Sequence, residues 1–205
     1  MDLPFPVVLG SKSPQRRRLL RRVITDFEVV DPDVDEERHV GSSVEETVRK
    51  LARIKAQTVA RKRPAALVIG ADTLVECEGE AIGKPEDRGE AVEILRKLVS
   101  HPHRVVTGIC LIIPTGRTET RVVPVEIRMK RMSEREIERY VDEEDVMDRA
   151  GAYGLRELDE NVEERRGSPT AVMGLPVEAV RSLLNSVQKR GGNAGQDAFG
   201  REQNS

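Results

Sequence analysis

Residues 67–73 read LVIGADT. The continuous apolar run within it is typical of a strand buried on both faces of a sheet, which we predict over residues 66–71. Asp72 and Thr73 follow directly. Because open α/β sheets bind ligands at the ends of their strands, this carboxylate is a candidate site residue. The alternative is an aspartate that caps a helix or forms a turn.

Strand-like and helix-like segments alternate on both sides of this strand. The order predicts an α/β protein with a mixed, twisted sheet and flanking helices. Capping signals mark three helix starts: Ser13-Pro14, Ser43 with Glu46, and Ser133 with Glu136. The predicted helices cover 14–23, 43–61, 88–100, 133–141 and 176–184. The other predicted strands are 6–10, 27–30, hairpins within 74–83 and over 104–114 with 117–131, and short strands around Glu163 and Ala171.

Composition limits the classes of function. The chain has 205 residues, of which 38% are hydrophobic and 34% charged, with a formal net charge of −2. No stretch approaches the ~18 apolar residues of a membrane helix. The acidic balance and the lack of Trp argue against nucleic acid and against an acidic membrane surface as partners. Cys77 and Cys110 are too few for a disulfide framework, so we expect reduced thiols and a cytoplasmic protein.

The C-terminal end differs in composition from the rest. From Gln188 onward the sequence is rich in Gly, Asn, Gln, Ser and charge. Such a segment cannot bury enough apolar surface to fold. We therefore predict one domain over residues 1–187, with room for two small lobes, and a disordered tail over 188–205.

The loop between the first strand and the first helix has the composition of a phosphate site. Residues 10–18 read GSKSPQRRR. Backbone N–H groups, the hydroxyls of Ser11 and Ser13, and the guanidinium of Arg16 could surround an anion there. The spaced Gly-Lys pair of a Walker A loop is missing. The alternative is an ordinary capped helix with a basic, solvated face.

Two further features suggest a charged cleft. Residues 31–37 read DPDVDEE, which imitates a calcium loop until Glu36 stands where that loop needs glycine. These carboxylates either hold Mg2+ in a cleft or form a solvated loop. Lys55 falls on the apolar stripe of the second helix, between Leu51 and Val59. A lysine on a buried face needs an anion or a route to solvent, so Lys55 is either a phosphate ligand or a side chain that reaches water at a lobe edge.

Taken together, these segments resemble the Maf family of nucleotide pyrophosphatases, from about residue 7 to residue 184. The matching pieces are GSKSP at 10–14 with Arg16, VDE at 34–36, LA at 51–52, KA at 55–56, IGADT at 69–73, GKP at 83–85, VTG at 106–108, AGAYG at 150–154 and GLP at 174–176. Each piece is short, but their order and spacing are specific. The resemblance implies a Maf/ITPase-like fold with two lobes around a deep cleft. Members are often dimers, so a homodimer is an open expectation.

The resemblance also implies roles for residues that already stand out. The side chains that would contact a triphosphate are those of Ser11, Ser13, Arg16, Lys55 and Lys84. Glu36 and Asp72 would hold Mg2+, or another divalent metal such as Mn2+, and Asp72 would accept the proton of the attacking water. Members hydrolyse a nucleoside triphosphate between its α and β phosphates. This chemistry needs cations around the bridging oxygens and a positioned water, which these residue types provide.

Three positions bear on the preferred base. Gln15 replaces the first of two arginines that usually follow Ser-Pro in the family. Thr73 matches the branch that cleaves dTTP and UTP, but Arg156 stands where that branch has glutamine. This set also differs from that of the 7-methyl-GTP branch. We expect a house-cleaning pyrophosphatase for non-canonical or pyrimidine nucleotides; the alternatives are a 7-methyl-GTP- or purine-directed enzyme and a non-catalytic, nucleotide-binding regulator of cell division.

Overall fold

A computed structural model describes residues 3–154 and 159–193, so Arg156 lies outside the described residues. Within these ranges the chain forms strands and α-helices in alternation, with short 3-10 turns at Glu37–His39, Ala150–Ala152 and Asp159–Asn161. The strands are β1 Val7–Gly10, β2 Glu28–Val30, β3 Leu67–Cys77, β4 Glu80–Ile82, β5 His103–Ile112, β6 Thr118–Met129 and β7 Val162–Arg166. The helices are α1 Pro14–Leu20, α2 Val44–Lys62, α3 Arg88–Ser100, α4 Glu134–Glu143, α5 Pro169–Val172 and α6 Val177–Asn193.

The strands form one seven-stranded sheet in the order β2-β1-β3-β5-β6-β7, with β4 paired to the C-terminal part of β3. β1 runs parallel to β2 and β3. The remaining pairs are antiparallel. The predicted α/β class with a mixed sheet and flanking helices is therefore confirmed.

Helix α2 lies directly against one face of the sheet because two glycines remove the side chains beneath it. A Cβ built on Gly70 would lie 2.4 Å from the carbonyl oxygen of Ala52. One built on Gly108 would lie 2.4 Å from the carbonyl oxygen of Val48. Both distances are far below van der Waals contact, so only glycine permits this approach. The contact holds the middle of α2, where Lys55 lies, against the sheet.

The apolar core is divided between two lobes. In the first lobe, α1 and α6 cover the sheet face opposite α2, and side chains such as Leu19 and Leu184 pack with Ile69. In the second lobe, α3 and α4 cover the far ends of β3, β5 and β6, with Leu95 and Ile137 among the buried side chains. A cleft of about 800 Å³ is lined by residues of both lobes. The predicted two-lobed architecture is confirmed.

Strand β3 extends farther than the sequence predicts. The expected strand covers 66–71, whereas β3 continues through Asp72 because β5 pairs with it along nearly its whole length. Its other edge is interrupted. β1 ends at Gly10, opposite Gly70, and β4 joins β3 only from Val75. Asp72 therefore lies inside a strand, beside a gap in the sheet, and not at a strand end.

Capping residues explain where helices begin, including one that overrides a predicted strand. Ser133 and Glu136 form the reciprocal capping box that opens α4. Ser168 caps α5, and Pro169 takes its first position. Ala171 consequently lies in α5, and the strand predicted around it is wrong.

The last helix is longer than the sequence predicts. The expected end is Leu184, but α6 continues to Asn193. Val187 is buried in the first-lobe core, so the apolar stripe of the helix extends past Leu184. The tail predicted over 188–205 thus begins inside the helix, and residues 194–205 lie outside the described ranges.

The state of the two cysteines and the polarity of the helices follow what the composition predicts. Cys77 and Cys110 are buried and free. Burial raises the pKa of both thiols, which keeps them protonated. Among the described residues, every helix is too short or too polar to cross a membrane.

Replacing Gly70 by alanine tests the contact beneath α2. The added methyl group would meet the Ala52 carbonyl oxygen at 2.4 Å, so helix and sheet must separate. We expect a loss of about 1–3 kcal/mol in the free energy of unfolding. In the control Gly83→Ala, no atom lies within 4 Å of the new Cβ, and the change should stay within about 0.5 kcal/mol. Urea unfolding measures both; a Gly70→Ala protein as stable as wild type would show that the close approach does not constrain α2.

Candidate active site

The loop that follows β1 is braced by its own hydroxyl groups. Ser11 is buried, and its Oγ accepts a hydrogen bond from the backbone N–H of Ser13 at 3.2 Å. Ser13 caps α1 by accepting the backbone N–H of Arg16 at 3.3 Å. Because both hydroxyls accept in these bonds, each keeps its hydrogen for an acceptor such as a phosphate oxygen.

Arg16 extends from α1 to the turn before α6 and to strand β3. Its Nε donates to the carbonyl oxygen of Gly174 at 2.9 Å, and one terminal nitrogen donates to Oγ1 of Thr73 at 3.2 Å. The other terminal nitrogen lies 3.4 Å from Oγ of Ser11. Burial lowers the pKa of Arg16, while the nearby carboxylates of Asp72 and Glu36 oppose that shift. Arginine stays protonated in proteins, so a fixed positive charge lies beside the loop.

Lys55 joins two carboxylates from different segments. Its ammonium nitrogen lies 2.6 Å from Oδ1 of Asp72 and 2.7 Å from Oε1 of Glu36. Lys55 and Asp72 are buried, with 6% and 3% of their surface exposed, whereas Glu36 is half exposed. Lys55 is therefore buried with two carboxylate partners and does not reach water at a lobe edge, and its role as a phosphate ligand stays a prediction.

The second carboxylate oxygen of Asp72 is the unusual atom of this group. Oδ2 is buried and has no hydrogen-bond partner among the described residues. Burial raises the pKa of Asp72 above its ordinary value of 3.8, and the charges of Lys55 and Arg16 act in the opposite direction. A buried polar atom without a partner costs stability, so its retention points to a ligand or a chemical task.

Strand geometry explains how two adjacent residues serve different neighbours. Side chains alternate between the faces of a strand. Asp72 shares the α2 face with Gly70, where it meets Lys55. Thr73 points to the opposite face, where it meets Arg16. Both reach the cleft because the sheet edge beside them is interrupted after β1.

The cleft brings together the residues that the sequence singles out. Its lining includes Ser11, Ser13, Gln15, Arg16, Glu36, Lys55, Asp72, Thr73 and Lys84. Lys84 comes from the second lobe and is mostly exposed, and its Nζ lies 3.3 Å from Oδ1 of Asp148. A volume of about 800 Å³ is within the range of small-molecule sites and can admit a nucleotide. Arg156 lies outside the described residues.

The donor set of the cleft fits a divalent cation. Asp72 supplies a buried carboxylate oxygen without a partner among the described residues, and Glu36 supplies a half-exposed carboxylate on the other side of Lys55. Mg2+ and Mn2+ prefer oxygen ligands of this kind. Both residues are therefore candidate ligands.

A second cluster of residues that could bind a metal ion lies outside the cleft. Atoms of Cys77, Glu78 and His101 come within 4.8 Å of one another. The ammonium group of Lys97 is 3.8 Å from Glu78, where it would repel a cation. The carboxylates of the cleft are the better candidates.

Several residues of the cleft region escape sequence reasoning. Thr107 and Gly174 bond to residues of the site although each is distant in sequence from its partner. Tyr153 lines the cleft, and its hydroxyl lies 2.9 Å from Nε2 of the buried His103. The motifs VTG, AGAYG and GLP contain three of these residues, but nothing local reveals their partners.

Relatives of known name match most of the chain. A protein of Aromatoleum aromaticum named dTTP/UTP pyrophosphatase is 40% identical over 195 residues, covering 88% of this chain and 94% of that protein. A protein of the same name from Akkermansia muciniphila is 38% identical over 186 residues, covering 90% and 98%. Similarity at this level over nearly the whole length indicates common descent.

The fold and the family agree with these matches. The Staphylococcus aureus Ham1 protein has a similar structure, with a TM-score of 0.54 over 88% of this chain and 98% of that one, at 19% identity. At this identity the likeness concerns the fold alone. The family described as Maf-like protein matches residues 6–187, so this chain belongs to the Maf family.

Proposed function

We propose that this chain hydrolyses nucleoside triphosphates to the monophosphate and pyrophosphate, with dTTP and UTP as preferred substrates. The observation that carries the proposal is Oδ2 of Asp72, a buried oxygen without a partner among the described residues, on a side chain that lines a nucleotide-sized cleft. The relatives named dTTP/UTP pyrophosphatase support the substrate class. A protein that only binds nucleotide does not need a base beside a metal site, which disfavours a purely regulatory role.

Cationic and hydroxyl groups on both lobes would hold the triphosphate. Ser11 and Ser13 offer hydroxyl hydrogens, and Arg16 offers a guanidinium edge. Lys84 offers an exposed ammonium group from the other lobe. The ammonium of Lys55 has three donors, of which Asp72 and Glu36 engage two, so one is left for a phosphate oxygen.

Asp72 and Glu36 are the residues that would hold Mg2+ or Mn2+. When bound there, the cation would neutralise phosphate charge and lower the pKa of water beside it. Lys55 lies between the two carboxylates, and its positive charge offsets their mutual repulsion when no cation is bound. Because it bonds Oδ1 of Asp72, Oδ2 stays available to other groups.

Asp72 is the residue that we assign to proton transfer. Burial raises its pKa, which makes its carboxylate a stronger base than one in water. The hydrogen bond from Lys55 favours the ionised form that a base requires. Asp72 would accept a proton from the attacking water. The water oxygen then bonds to the α phosphorus, the bond from that phosphorus to the oxygen that bridges it to the β phosphate breaks, and pyrophosphate leaves.

The preference for uracil and thymine is supported by Gln15. Its Oε1 is buried in the cleft region and lacks a partner among the described residues. An amide oxygen accepts hydrogen bonds, as the N3–H of uracil or thymine requires. Arg156, which can only donate, would suit the carbonyl oxygens of the same bases.

We assign the activity to the cytoplasm, in keeping with two free thiols. The homodimer and the lack of a nucleic-acid partner remain predictions.

Pyrophosphate release from a panel of nucleotides with Mg2+ tests the function. UTP and dTTP should react faster than ATP, CTP and 7-methyl-GTP. Asp72→Asn keeps the shape but removes the base, so turnover should fall roughly 100-fold or more. Asp26→Asn, an exposed residue outside the cleft lining, is the control and should match wild type. No pyrophosphate from any nucleotide would refute the function, and wild-type turnover by Asp72→Asn would remove Asp72 from its role.

The buried ion pair gives a separate prediction about stability. Lys55→Met leaves the Asp72 charge buried without its ammonium partner, and the expected loss is about 3 kcal/mol at neutral pH. In an Asp72→Asn background the same replacement should cost much less, because the one carboxylate that then loses its ammonium partner is the half-exposed Glu36. Lys12→Met removes an exposed ion pair with Asp31 and should change stability little. Urea unfolding of this set measures the coupling; equal costs of Lys55→Met in both backgrounds would contradict it.

A further inference from the structure

Five hydrogen bonds form a closed ring that includes the guanidinium group of Arg16. Its Nε donates to the carbonyl oxygen of Gly174 at 2.9 Å, and the backbone N–H of Gly174 donates to the carbonyl oxygen of Ala171 at 2.9 Å. Oγ1 of Thr107 donates to that same oxygen at 2.8 Å and lies 2.9 Å from Oγ1 of Thr73. Thr73 returns to Arg16 at 3.2 Å. The ring links α1, β3, β5, α5 and the turn after α5.

The direction of each bond follows by elimination. A carbonyl oxygen only accepts, so the hydroxyl hydrogen of Thr107 is used on Ala171. Thr107 must then accept from Thr73, which uses the single hydroxyl hydrogen of Thr73. Thr73 in turn accepts from Arg16, which can only donate. No hydroxyl hydrogen of either threonine is left for a nucleotide base.

The ring leaves one edge of Arg16 for an anion. Nε and one terminal nitrogen are held by Gly174 and Thr73. The other terminal nitrogen lies at the longer distance of 3.4 Å from Ser11, in the loop that we assign to phosphate. Gly174 has a φ of 95°. A Cβ there would lie 3.2 Å from Nε of Arg16, so glycine suits both the backbone conformation and the close approach.

We propose that Thr107 is a positioning residue, which orients Arg16 toward the substrate phosphates through Thr73. Thr107 is fully buried and is not among the residues that line the cleft. Thr73 accordingly influences the substrate by holding Arg16 and not by donating a hydrogen bond to the base. The inference rests on the proposed function for the identity of the ligand, but the ring itself can be tested without it.

Thr107→Val removes the hydroxyl at nearly constant shape. Ala171 keeps its bond from the Gly174 N–H, so the protein should fold. The lost bonds to Ala171 and Thr73 join neutral groups. With UTP and Mg2+ we expect kcat/KM to fall by up to about ten-fold, the upper end for one net hydrogen bond between neutral groups. Thr107→Ser, which keeps the hydroxyl, should recover to within about two-fold of wild type by the same reasoning. The control Thr47→Val removes a buried hydroxyl that bonds backbone atoms near the start of α2, and it should leave kcat/KM unchanged.

Two readouts separate this inference from the proposed function. In an Arg16→Ala background, Thr107→Val should cause no further loss of kcat/KM. An additive loss, or no loss in the wild-type background, would overturn the inference.

The second readout is the rate at which the Nε–H proton of Arg16 exchanges with solvent, measured by NMR without substrate. The resonance is assigned by its disappearance in Arg16→Lys. The proton should exchange slowly with solvent in wild type and in Thr107→Ser, and faster in Thr107→Val. Equal exchange in all three would overturn the ring even if the enzyme is active, whereas an inactive wild type with the predicted exchange would refute the function alone.

Discussion

The structure depends on the direct contact between helix α2 and the sheet. Gly70 and Gly108 bring backbone carbonyl oxygens of α2 to within 2.4 Å of where a Cβ would be, so no side chain can separate the two layers. Lys55 is carried on the same stretch of helix. Its ammonium group therefore reaches Oδ1 of Asp72 at 2.6 Å from within the core. A wider spacing between helix and sheet would move the Lys55 ammonium group away from Asp72 and break the buried ion pair.

Burying the charges of Lys55 and Asp72 costs stability. The side chains of Lys55 and Asp72 are almost completely enclosed, and one carboxylate oxygen has no partner among the described residues. Replacing such a pair by apolar residues is often neutral or stabilising in proteins. Its presence beside a cleft that also contains Arg16 is therefore better explained by chemistry than by stability. Low local dielectric strengthens every interaction that a phosphate would make there.

Much of the site can be predicted from local sequence, and what is missed depends on tertiary pairing. The apolar stripe of α2 indicates the burial of Lys55, and Ser13-Pro14 indicates the start of α1. The sequence does not indicate that β3 continues past Asp72, because that requires β5 as a partner. Thr107 likewise carries no local signal, since its bonds join segments far apart in the chain. The resemblance to a family identifies positions, but the partner of each side chain follows only from the fold.

Diffraction from a complex with Mn2+ and a non-hydrolysable UTP analogue would locate both the metal and the triphosphate, because anomalous scattering identifies the metal independently of the ligand. We predict that the metal peak lies against the carboxylates of Asp72 and Glu36 and that the triphosphate lies between Arg16 and Lys84. A metal peak at Cys77, Glu78 and His101 alone, or a triphosphate bound outside the cleft, would contradict the assignment of the site.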